Sequence, residues 1–189
     1  MEDKLTSEEK KLLLEVARSA LEHGVRHEKQ PTLDLKKMSE RLREEGASFI
    51  TLTIHGELRG CIGALEPYQA LVRDVQEHAV AAGLEDPRFP PVAPRELSQI
   101  NIEISRLTLP KKLAYTDTED LLARLRPNVD GVILRDGPRR ATFLPQVWEK
   151  IPDTAEFLDN LCYKMGAAPD TWRRKTLEVL VYQVEEFHE

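Results

Sequence analysis

The chain opens with apolar residues at helical spacing. Leu13, Val16, Ala17, Ala20 and Leu21 share one stripe, which predicts an amphipathic helix. Thr6 and Glu9 precede it as a capping box, the hydroxyl and the carboxylate each taking a free backbone N–H, and Gly24 supplies a stop. Leu35, Met38 and Leu42 predict a second helix closed by Gly46. The period then changes. Residues 48–54 are rich in Phe, Ile and Thr, and a second extended run follows from Leu58. His55-Gly56-Glu57 is read as a three-residue hairpin loop, with Gly56 available for positive φ. That register pairs Ile54 with Leu58, Leu52 with Gly60 and Ile50 with Ile62, giving one continuous apolar face. A two-residue loop would mix Arg59 and Cys61 into that face. Arg59 and Cys61 are therefore expected side by side on a polar face, with Thr51 and Thr53.

Pro67 opens a third predicted helix, with Tyr68, Leu71, Val72, Val75, Ala79 and Ala82 inward and an end at Gly83. In Asp86-Pro87-Arg88-Phe89-Pro90-Pro91 each proline fixes its own φ and restricts its predecessor, so the loop is stiff. Residues 101–109 alternate as a strand, with Ile102, Ile104 and Leu107 inward. Residues 131–134 and 139–143 predict a hairpin across Asp136-Gly137-Pro138, and Pro145 starts a short helix at its favoured first position. Asp153 and Glu156 form another capping box before a helix that turns Phe157, Leu158, Leu161 and Met165 inward. Residues 177–187 read as a final strand. Helices and strands mix without regular βαβ alternation, so the fold class is α+β, with mostly antiparallel sheets and flanking helices.

A chain of 189 residues is long enough for one large domain or two joined halves. A hydrophobic fraction of 41% beside 32% charged residues is a globular balance rather than a disordered one. The net charge of −6 argues against general nucleic-acid binding, which needs Lys and Arg to neutralise phosphate. Only short basic pairs occur, Arg139-Arg140 and Arg173-Arg174. No apolar run approaches the ~20 residues that span a bilayer. The start, Met1-Glu2-Asp3-Lys4-Leu5, lacks the apolar core of a signal peptide. Cys61 and Cys162 have no CxxC partner and read as free thiols of a reducing compartment, with a single disulfide between them as the alternative. A cytoplasmic protein without membrane contact is expected.

Candidate chemistry centres on Leu58-Arg59-Gly60-Cys61-Ile62-Gly63. A thiol acts as nucleophile or ligand when ionised, which a neighbouring cation such as Arg59 favours. Gly60 and Gly63 leave backbone N–H groups uncovered, as an oxyanion or phosphate site requires. The same residues also fit a packed turn, with Cys61 filling space and the glycines admitting another backbone. Arg88 in its stiff loop can clamp a carboxylate or phosphate, or pair with Asp86 and pin the loop. Glu103, with Asn101 and Ser105, points away from the inward isoleucines, toward a cleft or toward solvent. No GxGxxG, GxxxxGK[ST] or GxSxG pattern is present, and no cofactor is expected. His23 and His27 are separated by Gly24, which argues against a zinc pair, and His78 is placed at the surface or partly packed.

Together these segments resemble the AMMECR family, that of the AMME-syndrome candidate-region protein. Its prokaryotic members are called protein A of the AmmeMemoRadiSam system. The likeness rests on Phe49-Ile50-Thr51-Leu52, the LRGCIG segment at 58–63, Asp86-Pro87-Arg88-Phe89, Ile102-Glu103-Ile104-Ser105, Gly131-Val132-Ile133-Leu134, Phe143-Leu144-Pro145-Gln146-Val147 and Phe157-Leu158. These follow the family's order across nearly the whole chain. The resemblance implies an α+β fold of two subdomains with LRGCIG near the groove between them. It also implies an association with Memo-like and radical-SAM proteins in a modification pathway. The chain lacks a CxxxCxxC motif and so is not the radical-SAM component. It carries Lys164-Met165-Gly166 where many relatives have Lys-Ala-Gly.

Arg59, Cys61, Asp86, Arg88 and Glu103 are thus the candidate site, with Gly60 and Gly63. Three functions compete. In the first, the chain is an accessory module binding a small anion or a partner's loop. In the second it is an enzyme, with Cys61 as nucleophile or acid/base, Arg59 and Arg88 holding the anion, and Glu103 or Asp86 moving protons. In the third, LRGCIG has a structural role alone.

Overall fold

The computed structural model describes residues 4–189, and Met1-Glu2-Asp3 of the acidic start lie outside the described residues. The chain divides into two compact units, Met1–Thr108 with Glu185–Glu189, and Leu109–Val184. Helices combine with antiparallel sheets, an α+β fold.

In the first unit, helix α1 (Ser7–Val25) starts at the expected capping box, with Thr6 Oγ1 accepting from the Glu9 N–H and the Glu9 carboxylate accepting from the Thr6 N–H. It continues through Gly24, because the left-handed turn is taken three residues later by His27 (φ 57°). The expected second helix is only a 3-10 turn, Leu35–Lys37, and a single α-turn, α2 (Glu40–Arg43). Gly46 belongs instead to strand β1 (Glu45–Ile54), since Glu45 and Gly46 pair with Ala70 and Gln69 of the short strand β3 (Gln69–Ala70). The same pairing delays helix α3 (Leu71–Leu84) past Pro67 and leaves Tyr68 exposed. Gly83 lies inside that helix, not after it.

Strands β2 (Glu57–Gly63), β4 (Ile100–Leu107) and β9 (Val184–His188) complete a sheet ordered β2-β1-β4-β9, with β3 also on β1. Ile50, Leu52, Ile102 and Ile104 of its apolar face are fully buried beneath Leu13, Ala17 and Leu21 of α1 and Val72, Val75 and Ala79 of α3. The hairpin departs from expectation at its end. Ile50 faces Ile62 and Leu52 faces Gly60, but Thr53 faces Leu58 and Ile54 faces Glu57. The loop is His55-Gly56, both at positive φ (54° and 84°), and Arg59 is the unpaired extra residue of a bulge. A tight primed turn and the correct inner register are both kept because the bulge absorbs the odd residue.

The second unit has a sheet ordered β5-β8-β6-β7, formed by β5 (Lys111–Lys112), β6 (Gly131–Asp136), β7 (Arg139–Phe143) and β8 (Glu178–Tyr182). Helices α4 (Thr118–Arg124), α5 (Thr154–Lys164) and α6 (Thr171–Arg174) complete it. Asp136 pairs with Arg139, so the hairpin loop shortens to Gly137-Pro138. Asp153 caps α5 by accepting from the Glu156 N–H, and Phe157, Leu158, Leu161 and Met165 are buried. Trp148 stacks on Phe157 with ring centroids 3.6 Å apart. The stretch read as one last strand is two, β8 and β9, in different sheets.

His78 is buried rather than superficial. Its Nδ1 lies 3.2 Å from Asp74 Oδ2, which also accepts from Ser48 Oγ of β1 at 2.6 Å, and the Asp74 side chain is wholly buried. Burial opposes the charged imidazole. The hydrogen bond and charge of Asp74, with Glu77 adding, outweigh it and raise the His78 pKa above its ordinary value. Tyr68, edge-on at 6.4 Å between centroids, is the facing aromatic ring. A raised histidine pKa contributes stability that is present below the unfolded value, about 6.5, and is lost as pH rises through the folded value. Urea unfolding should therefore show stability declining from pH 6 into the alkaline range, and His78→Gln should flatten that decline.

Candidate functional site

Cys61 lies in β2, whose far side has no neighbouring strand in the order β2-β1-β4-β9. An edge strand exposes N–H and C=O groups that need partners. At Cys61 the loop after α3 provides them. Asp86 Oδ2 accepts from the Cys61 N–H at 2.8 Å, and Arg88 Nη2 donates to the Cys61 carbonyl at 3.3 Å. Asp86 in turn accepts from the Arg88 N–H (3.0 Å), Nε (2.9 Å) and Nη2 (2.7 Å). An ion pair thus stands where a strand would.

The outward N–H and C=O of Cys61 make Cys61–Thr51 a non-hydrogen-bonded cross-strand pair, the kind in which side chains approach most closely. Thr51 Oγ1 donates to Cys61 Sγ at 3.4 Å. Thr51 also faces Glu103 of β4, so Cys61, Thr51 and Glu103 form a row across three strands on the sheet's polar face. All three are half-buried. The Glu103 side chain makes no hydrogen bond or ion pair among the described residues.

Electrostatics follow from this geometry. The hydrogen bonds from Arg88 hold the Asp86 carboxyl far below the usual carboxylate range; burial opposes them, and the Cys61 and Arg88 N–H groups add to the lowering. Asp86 raises the Arg88 pKa in return, and the Cys61 side chain also contributes. The Arg88 side chain is 54% exposed while that of Asp86 is 2% exposed, so a buried carboxylate holds a guanidinium whose outer edge meets solvent.

Other expected members are placed elsewhere. Arg59 does not stand beside the thiol: its Nε and Nη2 donate to Glu96 at 2.8 and 3.2 Å, because the bulge re-aims it. Arg59 lowers the Glu96 pKa, helped by the Ala93 N–H that Glu96 also binds. The two glycines serve close approach. A Cβ on Gly60 would lie 2.1 Å from the Ala82 carbonyl oxygen of α3, and one on Gly63 would lie 2.3 Å from that of Ser48. Thr51 was on the expected polar face but not among the candidate residues; its register between Cys61 and Glu103 was the available signal. Glu96 carried no pairing signal, because its contact with Arg59 depends on the bulge. Among the described residues no three His, Cys, Asp or Glu side chains could hold a metal ion, both cysteines are free, and no helix is long and apolar enough to cross a membrane.

The family model described as AMMECR1 matches residues 14–187. The chain belongs to the AMMECR1 family. Among AMMECR1-family relatives, Protein MK0488 of Methanopyrus kandleri is 38% identical over an alignment covering 100% of this chain and 92% of that one. A Methanothermobacter thermautotrophicus protein is also 38% identical, covering 98% and 96%. The crystal structure of the uncharacterized protein PH0010 from Pyrococcus horikoshii superposes with a TM-score of 0.73 at 32% identity, covering 94% of this chain and 90% of that one.

Two substitutions probe this AMMECR1-family site. Asp86→Asn leaves Arg88 without its anion and offers an amide to the Cys61 N–H; we expect a loss of roughly 2 kcal/mol, since hydrogen bonds to charged groups contribute about 1.5–3 kcal/mol each. Gly60→Ala sets a methyl against a backbone carbonyl and should cost about 1–3 kcal/mol by overpacking. Denaturant unfolding at pH 7 checks both.

Proposed function

We propose that this AMMECR1-family chain is an accessory component of a modification pathway shared with Memo-like and radical-SAM proteins, and that its Cys61 face binds a small anion. The pathway rests on the family resemblance. The anion rests on Arg88, whose outer edge is open to solvent while Asp86 fixes its inner edge. A guanidinium held in one orientation loses little freedom on taking a carboxylate or phosphate.

Titration calorimetry with inorganic phosphate and with acetate tests the reading. Arg88→Ala should weaken binding at least about tenfold, or roughly 1.4 kcal/mol, while Cys61→Ser binds as the parent does. Equal affinity of the Arg88→Ala variant and the parent sinks the proposal.

A second reading, with Cys61 as nucleophile and Arg88 as its anion clamp, is favoured by the Thr51 hydroxyl donating to Sγ beside a guanidinium. Iodoacetamide should modify Cys61 more slowly in Arg88→Ala and Thr51→Val than in the parent, because each variant removes a polar group that contacts Cys61. Unchanged rates in both variants would remove this reading and leave the first intact.

A further inference from the structure

Helix α3 lies against the apolar face of the first sheet, opposite the face that carries Cys61. On the outer side of α3 is an open cavity of about 550 Å³, walled by residues 30–33 on one flank and by Arg73, Gln76, Glu77 and Val80 of the helix, with Glu85 just after it, on the other. That is the size of small-molecule pockets in general, which run from about 300 to 1,000 Å³.

Its polar groups are set up in a specific way. Gln30 Nε2 donates to the Ala20 carbonyl of α1 at 3.0 Å, which fixes the amide, because a flipped amide would set oxygen against oxygen. The remaining oxygen, Oε1, is buried and accepts no hydrogen bond. Gln76 Nε2 holds the flank in place through the Pro31 carbonyl at 2.9 Å. Arg73 and Glu77 are one turn apart, where such residues commonly pair. Here they do not: Glu77 accepts from Tyr68 Oη at 3.0 Å and Gln69 Nε2 at 2.7 Å. The Arg73 and Glu85 side chains make no hydrogen bond or ion pair among the described residues.

The wall therefore offers one open cation, Arg73, and two carboxylates, Glu77 and Glu85. A phosphate would find Arg73 but would also face Glu77 and Glu85. A simple cation would face Arg73. A molecule with both charges is complementary to the whole set. We propose that this cavity binds a small zwitterion, an amino acid or dipeptide, with its carboxylate on Arg73 and its ammonium toward Glu77. Val80 also lines the cavity and would meet an apolar side chain. The site shares no residue with the Cys61 face and does not depend on the anion reading.

Calorimetry on the full chain with L-leucine, glycyl-L-leucine and inorganic phosphate tests this, with two-dimensional NMR to locate the contact. At least one zwitterion should bind saturably, shift amide resonances of residues 30–33 and of α3, and bind about tenfold or more weakly to Arg73→Ala. Arg73 is exposed, so this variant keeps its fold. The proposal is overturned if neither zwitterion binds, if Arg73→Ala binds the zwitterion equally, if the shifts fall on the Cys61 row, or if phosphate outcompetes both zwitterions in the cavity.

Discussion

The carboxylate of Asp86 is the constraint on which the first unit's candidate site depends. It gathers four donors, one from the edge strand and three from Arg88, and it does so almost entirely out of solvent. Such a group is costly to bury unless all its partners are present. Here they come from two segments far apart in sequence, so satisfying the carboxylate fixes how the proline-rich loop meets strand β2. The position of Arg88 relative to the thiol follows from that one requirement. The carboxylate meets the Cys61 N–H that the β1–β2 register turns outward, and the same register brings Thr51 close to the sulfur.

Helix α3 supports this arrangement from beneath. Its last turn passes so near β2 that only glycine fits at position 60, and the backbone leaving that turn leads directly to Asp86. At the other end, Asp74 ties the helix to Ser48 of β1 and to His78 on its own next turn. The helix is thus registered against the central strands by a polar contact at one end and a steric one at the other. Apolar packing alone would let a helix slide more freely over a sheet.

Much of this was legible in the sequence where local chemistry decides. The capping residues Thr6 and Asp153, the alternation of Ile50 and Leu52, and the fixed φ of Pro145 each act through near neighbours. What was not legible came from distant partners. Gly46 looked like a helix stop because nothing nearby announces that residues 69 and 70 will pair with it. His78 looked superficial because its partner's burial is a tertiary fact. Arg59 looked like a neighbour of the thiol because hydrophobic alternation fixes the inner register without revealing that a bulge makes up the difference at the turn. For the site, the polar face could be read from the period of two, but the Asp86–Arg88 pair's hold on the strand edge could not.

The route of the chain has its own consequence. The strand that flanks β4 is made from residues that follow the entire second unit, so the first sheet is discontinuous in sequence. On a ribosome, the row carrying Cys61 and Glu103 emerges early but waits with a bare flank until translation has passed through the second unit. A nascent chain in that interval presents an unpaired β4 margin, the kind of surface that chaperones cover and aggregates exploit.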